Sequence, residues 1–184
     1  GGAPLNVALR IQSYGCLTKV ISSIGNDDAG NGIVEQMKMY NATTDHLQVS
    51  QNFATSEVLV TLNEAGSASY EIKMPCAWDD IQLLEKDIAV VKSADAFIYG
   101  SLVARQLTSK ETLFALLKTS QFKVFDVNLR PPHYELENLI NLMKQADFIK
   151  FNDDEIFELS LAMSGKKLSL EESIRFFSEE TQTP

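Results

Sequence analysis

Residues 123–132, KVFDVNLRPP, decide how the rest of the chain is read. Val124, Phe125 and Val127 make a short apolar run, and Asn128 with two prolines ends it, so the segment reads as a buried strand running into a turn. Residues 96–100 (AFIYG) and 148–151 (FIKF) have the same character. Helical segments are expected between and after them. Thr108 with Glu111 resembles a capping box opening a helix to about residue 118, a second helix is expected over 134–146, and a third from 153. Ser169 with Glu172 opens a last helix. Strands alternating with helices imply right-handed crossovers and a mostly parallel sheet with helices on both faces, an α/β body.

Working outward, residues 79–91 read as a helix preceding the strand at 96. Near the start, Pro4 suits a first helical turn, and a helix is expected over 4–14. Residues 19–24 read as a short buried strand. The turn Gly25-Asn26-Asp27-Asp28 supplies a helix N-cap, and the helix should run to about 40. The middle differs. Residues 57–62 (EVLVTL) and 67–73 (SASYEIK) flank Asn63-Glu64-Ala65-Gly66, the pattern of an antiparallel hairpin. A further short strand is expected over 49–53. The hairpin does not fit a parallel sheet and reads as a β insertion spanning about 47–74.

With 184 residues the chain can build one α/β domain with a core. A net charge of -9 argues against non-specific binding to nucleic acid or an anionic membrane. No apolar run approaches the ~20 residues of a membrane span, and no signal peptide is visible. Cys16 and Cys76 lack metal-ligand spacing, so two reduced thiols in a cytoplasmic protein are expected. His46 and His133 lie in polar stretches and read as surface residues.

Open parallel sheets bind ligands beyond the carboxyl ends of their strands, and three polar segments fall there. After residue 125, Asp126, Asn128 and Arg130 alternate and would share one side of an extended chain. Arg130 offers a planar fork of donors for phosphate or carboxylate oxygens, or pairs with a nearby acid in a proline-stiffened turn. Asn152-Asp153-Asp154-Glu155 joins a strand to a helix. These acids stabilise a helix start, or supply hard oxygens to Mg²⁺ and its waters. Gly1-Gly2 before a helix permits close approach of a ligand, and Asn6 can both donate to and accept from sugar hydroxyls.

Together these segments resemble the ribokinase/PfkB family of carbohydrate kinases. The resemblance rests on Gly1-Gly2-Ala3-Pro4-Leu5-Asn6-Val7-Ala8, on Gly15, on residues 24–30 (IGNDDAG), and on Asn152-Asp153-Asp154-Glu155 as the family's Asn-x-x-Glu element. The opening and Asp126-Val127-Asn128-Leu129-Arg130-Pro131 are similar to its fructokinase branch. The resemblance implies a ribokinase-like fold with a β lid, and transfer of the γ-phosphoryl group of ATP to a sugar hydroxyl with Mg²⁺. Gly1, Gly2 and Asn6 would contact the sugar, Arg130 would reach sugar or transferred phosphate, and Tyr70 would face the sugar from the lid. Asn152 and Glu155 would organise the nucleotide phosphates and the water shell of the metal, with no direct metal ligand in this chain. A homodimer through the lid is a further expectation.

The family's first strand should precede Gly1, and its Gly-Ala-Gly-Asp motif, carrying the anion hole and the catalytic base, should follow Pro184. The domain is therefore expected to be incomplete at both ends and these residues alone to be inactive. Fructose is the sugar favoured, with 2-keto-3-deoxygluconate and ribose as alternatives. A non-catalytic sugar-binding module on the same fold is the alternative from another class.

Overall fold

The computed structural model of the chain is described for residues 2–62 and 68–183, and for the side chains of all of these except 59–62 and 68–70. Two compact units divide it, Gly1–Gln82 and Leu83–Pro184.

In the first unit, α1 (Ala3–Ser13) begins with proline in its first turn. It presents Leu5 and Leu9, one helical turn apart, to Met37 of α2 (Asp28–Met39) and to Ala42. Strand β1 (Ser22–Gly25) pairs in parallel with β2 (Leu47–Ser50), from Ser22 opposite Leu47 to Gly25 opposite Ser50. The expected start of β1 at residue 19 is three residues early, because β2 begins opposite Ser22 and residues 19–21 lie ahead of that pairing. β2 also stands beside β1 rather than in the hairpin. That hairpin is β3 (Val58–Leu62) against β4 (Ala68–Ile72), antiparallel, with Val58 opposite Ile72 and Leu62 opposite Ala68. Its connecting turn at 63–67 lies outside the described residues.

The helix expected over 79–91 is a 3-10 turn, Ala77–Asp79, followed by non-helical chain and then α3 (Glu85–Ser93). The Asp79 carboxylate accepts from the Cys76 amide at 2.9 Å and the Cys76 thiol at 3.3 Å, closing the short turn on itself. The Gln48 side chain then takes both main-chain groups of Gln82, accepting from its amide at 2.9 Å and donating to its carbonyl at 2.7 Å. His46 is buried, at 6% exposure, contrary to its polar sequence surroundings, and its carbonyl lies at the entry to β1, accepting from the Ser22 amide.

The second unit holds the sheet β5 (Phe97–Gly100), β6 (Lys123–Asp126) and β7 (Phe148–Lys150), parallel and in that order. Helix α3 and helices α4 (Leu107–Leu117), α5 (Leu136–Gln145), α6 (Asp153–Ser164) and α7 (Leu170–Thr181) belong to it as well. Gln106, not Thr108, stands at the N-cap of α4, and no side chain caps that helix. The Ser169–Glu172 capping box of α7 forms as its spacing predicts. Phe125 stacks on Tyr99 at 5.1 Å between ring centroids and packs with Leu139, Leu142, Met143 and Leu159. The Tyr99 hydroxyl donates to the Leu142 carbonyl at 2.9 Å, so its polar tip is matched inside the core. Burial pushes its pKa well above the ordinary tyrosine value.

Phe125 is fully buried at the centre of this sheet. Phe125→Ala should destabilise the second unit by about 3–5 kcal/mol, read as a lowered urea midpoint.

Candidate functional site

The parallel register brings the carboxyl ends of β6 and β7 side by side, and the site residues of the second unit lie just past them. Beyond β6 the pairing runs one step further, the Val127 amide donating to the Lys150 carbonyl at 3.1 Å. Asp126 and Lys150, the last residues of the two strands, form an ion pair at 3.0 Å. The chain then turns at Asn128, whose φ of 43° is left-handed. Asparagine tolerates that conformation better than most residues. The turn breaks the expected alternation of Asp126, Asn128 and Arg130 along one side of an extended strand. Val127 and Leu129, both buried, root it in the core. The Ser101 hydroxyl, just past β5, donates to the Asn128 carbonyl at 3.3 Å.

Glu155 closes this arrangement. Asn152 is the N-cap of α6, and its Oδ1 accepts the Glu155 amide at 2.8 Å. Glu155 Oε2 accepts the Asn152 amide at 2.8 Å, completing a capping box. Its Oε1 accepts the amide of Leu129, in the turn past β6, at 3.0 Å. The side chain is only 4% exposed and both oxygens face main-chain donors. Among the described residues, no group of three or more His, Cys, Asp and Glu side chains is arranged to hold a metal ion. Asp153 and Asp154, in the first turn of α6, are exposed.

Arg130 is exposed, and its Nη1 donates to the Leu129 carbonyl at 2.6 Å, leaving most of its fork facing outward. His133 closes the turn through its amide to the Arg130 carbonyl at 2.8 Å. Tyr134 donates to Glu158 at 2.6 Å, and this bond to a carboxylate is the main reason its pKa is pushed up to about 12.

In the first unit, Gly2 is the N-cap of α1 with φ 87° and ψ 167°, and a Cβ there would meet nothing within 4 Å. The Gly2 carbonyl accepts the Asn6 amide at 3.1 Å, and Asn6 is exposed one turn into the helix. Gly1 and the Tyr70 side chain lie outside the described residues. Asp27 does more than cap a helix. Its Oδ1 accepts the Gly30 amide and the Thr55 hydroxyl at 2.8 and 2.6 Å, while Oδ2 accepts the Thr55 amide at 2.8 Å. Sequence reasoning missed Thr55. The available signal was Gly25-x-Asp27-x-x-Gly30, two glycines around one acid, which marks a crowded backbone better than it marks a cap alone.

A family profile described as pfkB family carbohydrate kinase matches residues 1–180. Fructokinase-2 of Zea mays is 27% identical over 166 residues, covering 85% of this chain and 50% of that protein. A solved sugar kinase from Pyrococcus horikoshii, in complex with ATP, is 28% identical with a TM-score of 0.79, covering 92% of this chain and 58% of that one. A fructokinase structure from Xylella fastidiosa shares the fold at a TM-score of 0.83 and 20% identity, over 100% of this chain and 57% of that one. The ribokinase-like α/β fold is thereby shown. The chain spans about half the length of the curated relatives it matches.

Glu155→Ala removes the acceptor from two amides and should destabilise by about 2–4 kcal/mol in chemical denaturation. Glu155→Gln keeps one acceptor oxygen and should lose roughly half as much. The bonds from Thr55, then Gly30, hold the Asp27 carboxyl below its usual range. Because the folded pKa is the lower one, the stabilisation is complete above the unfolded value of about 3.9 and disappears as pH falls through the folded value. Acid titration monitored by circular dichroism should therefore show a stability loss below that point that is smaller in Asp27→Asn.

Proposed function

The chain belongs to the pfkB family of carbohydrate kinases, and we propose that the full-length protein transfers the γ-phosphoryl group of ATP to a hydroxyl of a free sugar, fructose foremost. The observation carrying this reading is the Asp126-Val127-Asn128-Leu129-Arg130-Pro131 turn, held by Glu155 at the carboxyl ends of β6 and β7. It sets a phosphate-matching guanidinium beyond a parallel sheet, where α/β folds bind ligands.

Gly1, Gly2 and Asn6 meet the sugar, with the bare backbone at Gly2 allowing close approach and the Asn6 amide matching hydroxyls. Arg130 neutralises charge on the sugar or the transferred group. Asn152 and Glu155 act through the main chain, fixing the N-terminus of α6, whose positive end favours nucleotide phosphates. Mg²⁺, bound with ATP, supplies charge neutralisation at the phosphates. The β3–β4 hairpin is the lid, with Tyr70 on its sugar side, and its closure excludes water that would otherwise hydrolyse ATP. The reading implies a cytoplasmic enzyme. Among the described residues, no helix is long and apolar enough to cross a membrane.

The full-length protein, given ATP, Mg²⁺ and a panel of fructose, ribose, 2-keto-3-deoxygluconate and glucose, should release ADP fastest with fructose. Absence of turnover with every ketohexose and pentose overturns the proposal. Arg130→Ala should raise the sugar KM and lower kcat, together reducing kcat/KM by about 100-fold or more, with fold intact by circular dichroism.

A further inference from the structure

We infer that Asp27 and Thr55 form a latch that fixes the root of the β3–β4 hairpin, making Asp27 a positioning residue for the substrate side of that hairpin. The inference rests on the reading of the hairpin as a lid. Thr55 lies three residues before β3, on the entry leg. Its amide and hydroxyl both donate to the Asp27 carboxylate, at 2.8 and 2.6 Å, and the same hydroxyl accepts the Gly25 amide at 2.8 Å. One side chain is thus bonded to the last residue of β1 and to the N-cap of α2 at once.

The exit leg is joined to the same point. Past β4, the Ala77 amide donates to the Ala54 carbonyl at 2.8 Å, and Cys76 and Ala77 are buried there with Thr55 and Asp79. The two legs therefore meet in a buried knot, and Asp27 bolts that knot to the turn between β1 and α2.

The glycines show how tight the fit is. A Cβ at Gly25 would lie 2.4 Å from Asp27 Oδ2 and 2.6 Å from the Thr55 amide nitrogen. One at Gly30 would lie 2.5 Å from the Gly25 carbonyl and 2.9 Å from Thr55 Oγ1. Helix capping needs only one Asp27 oxygen, the one that accepts Gly30. The bidentate grip on Thr55 has no part in capping α2, and its place at the foot of the hairpin gives it one.

The test uses the full-length protein with Asp27→Asn, Thr55→Val and Thr55→Ser. Asparagine keeps the oxygen that caps α2 but sets its NH₂ against the Thr55 amide, donor against donor. Valine removes the hydroxyl and leaves the α2 cap alone, and it carries the test should Asp27→Asn fail to fold. Steady-state kinetics with the best sugar of the panel and amide hydrogen exchange over 54–62 and 68–77 are both read. Asp27→Asn and Thr55→Val should raise the sugar KM by about tenfold while the ATP KM and kcat stay within about twofold. Exchange should quicken in the hairpin legs and not in α5 or α6, and Thr55→Ser should restore both readouts. Unchanged exchange in the legs overturns the latch, and a raised sugar KM alongside it leaves the lid reading standing. Quicker exchange with an unmoved sugar KM overturns the role in substrate positioning through failure of the lid reading itself. Equal losses in sugar KM, ATP KM and kcat, unrescued by serine, reduce the pair to general fold support and overturn the inference.

Discussion

Two oxygens of one buried carboxylate hold the second unit's site together. Glu155 takes the amide that opens α6 with one oxygen and the Leu129 amide with the other. A parallel sheet creates the need for this. Its ladder ends where the strands end, and each chain leaves with main-chain donors that no neighbour satisfies. Buried donors of that kind destabilise by about 1–3 kcal/mol each when left alone. One such donor here is the amide of Leu129, a residue only 6% exposed. The carboxylate matches two such donors and, in doing so, fixes the turn carrying Arg130 against the helix start after β7.

Arg130 itself is placed by that constraint rather than by a contact of its own side chain. Its guanidinium touches only the neighbouring Leu129 carbonyl among the bonds described for it, and the rest of the fork faces outward. A planar donor on a turn rooted by buried Val127 and Leu129 has its origin fixed and its tip free to meet an anion. This division between a rigid base and an accessible tip suits a site built on strand ends.

Much of this was readable from local chemistry. Strands β5 to β7 announce themselves as short apolar runs, and the Asn152–Glu155 and Ser169–Glu172 boxes form as their spacing demands. What failed to read depended on distant partners. Residues 79–91 carry a helical pattern, but Asp79 is claimed by Cys76 and Gln82 by Gln48, so the helix starts only at Glu85. His46 looks solvated from its polar neighbours, yet it is buried just ahead of β2. The alternation at Asp126, Asn128 and Arg130 assumes continued extension, and nothing short of the fold reveals that Asn128 adopts φ 43°. The hairpin was visible, but its attachment was not, because Thr55 lies 28 residues from Asp27.

Asp27 and Glu155 turn out to be two solutions to one problem. Each stands where a parallel strand passes into a helix, Asp27 after β1 and Glu155 after β7. Each takes an amide in the opening turn of its own helix. Each then reaches the segment that follows the neighbouring parallel strand, Thr55 beyond β2 and Leu129 beyond β6. A neutral cap such as serine offers one oxygen and can do only the first task. A carboxylate has two, set apart by its planar geometry, and can bridge helix to neighbour. Asp27 does this from the N-cap of α2, and Glu155 from the third position of α6, whose N-cap is Asn152. Each carboxylate holds the segment leaving one strand to the helix that follows its parallel neighbour.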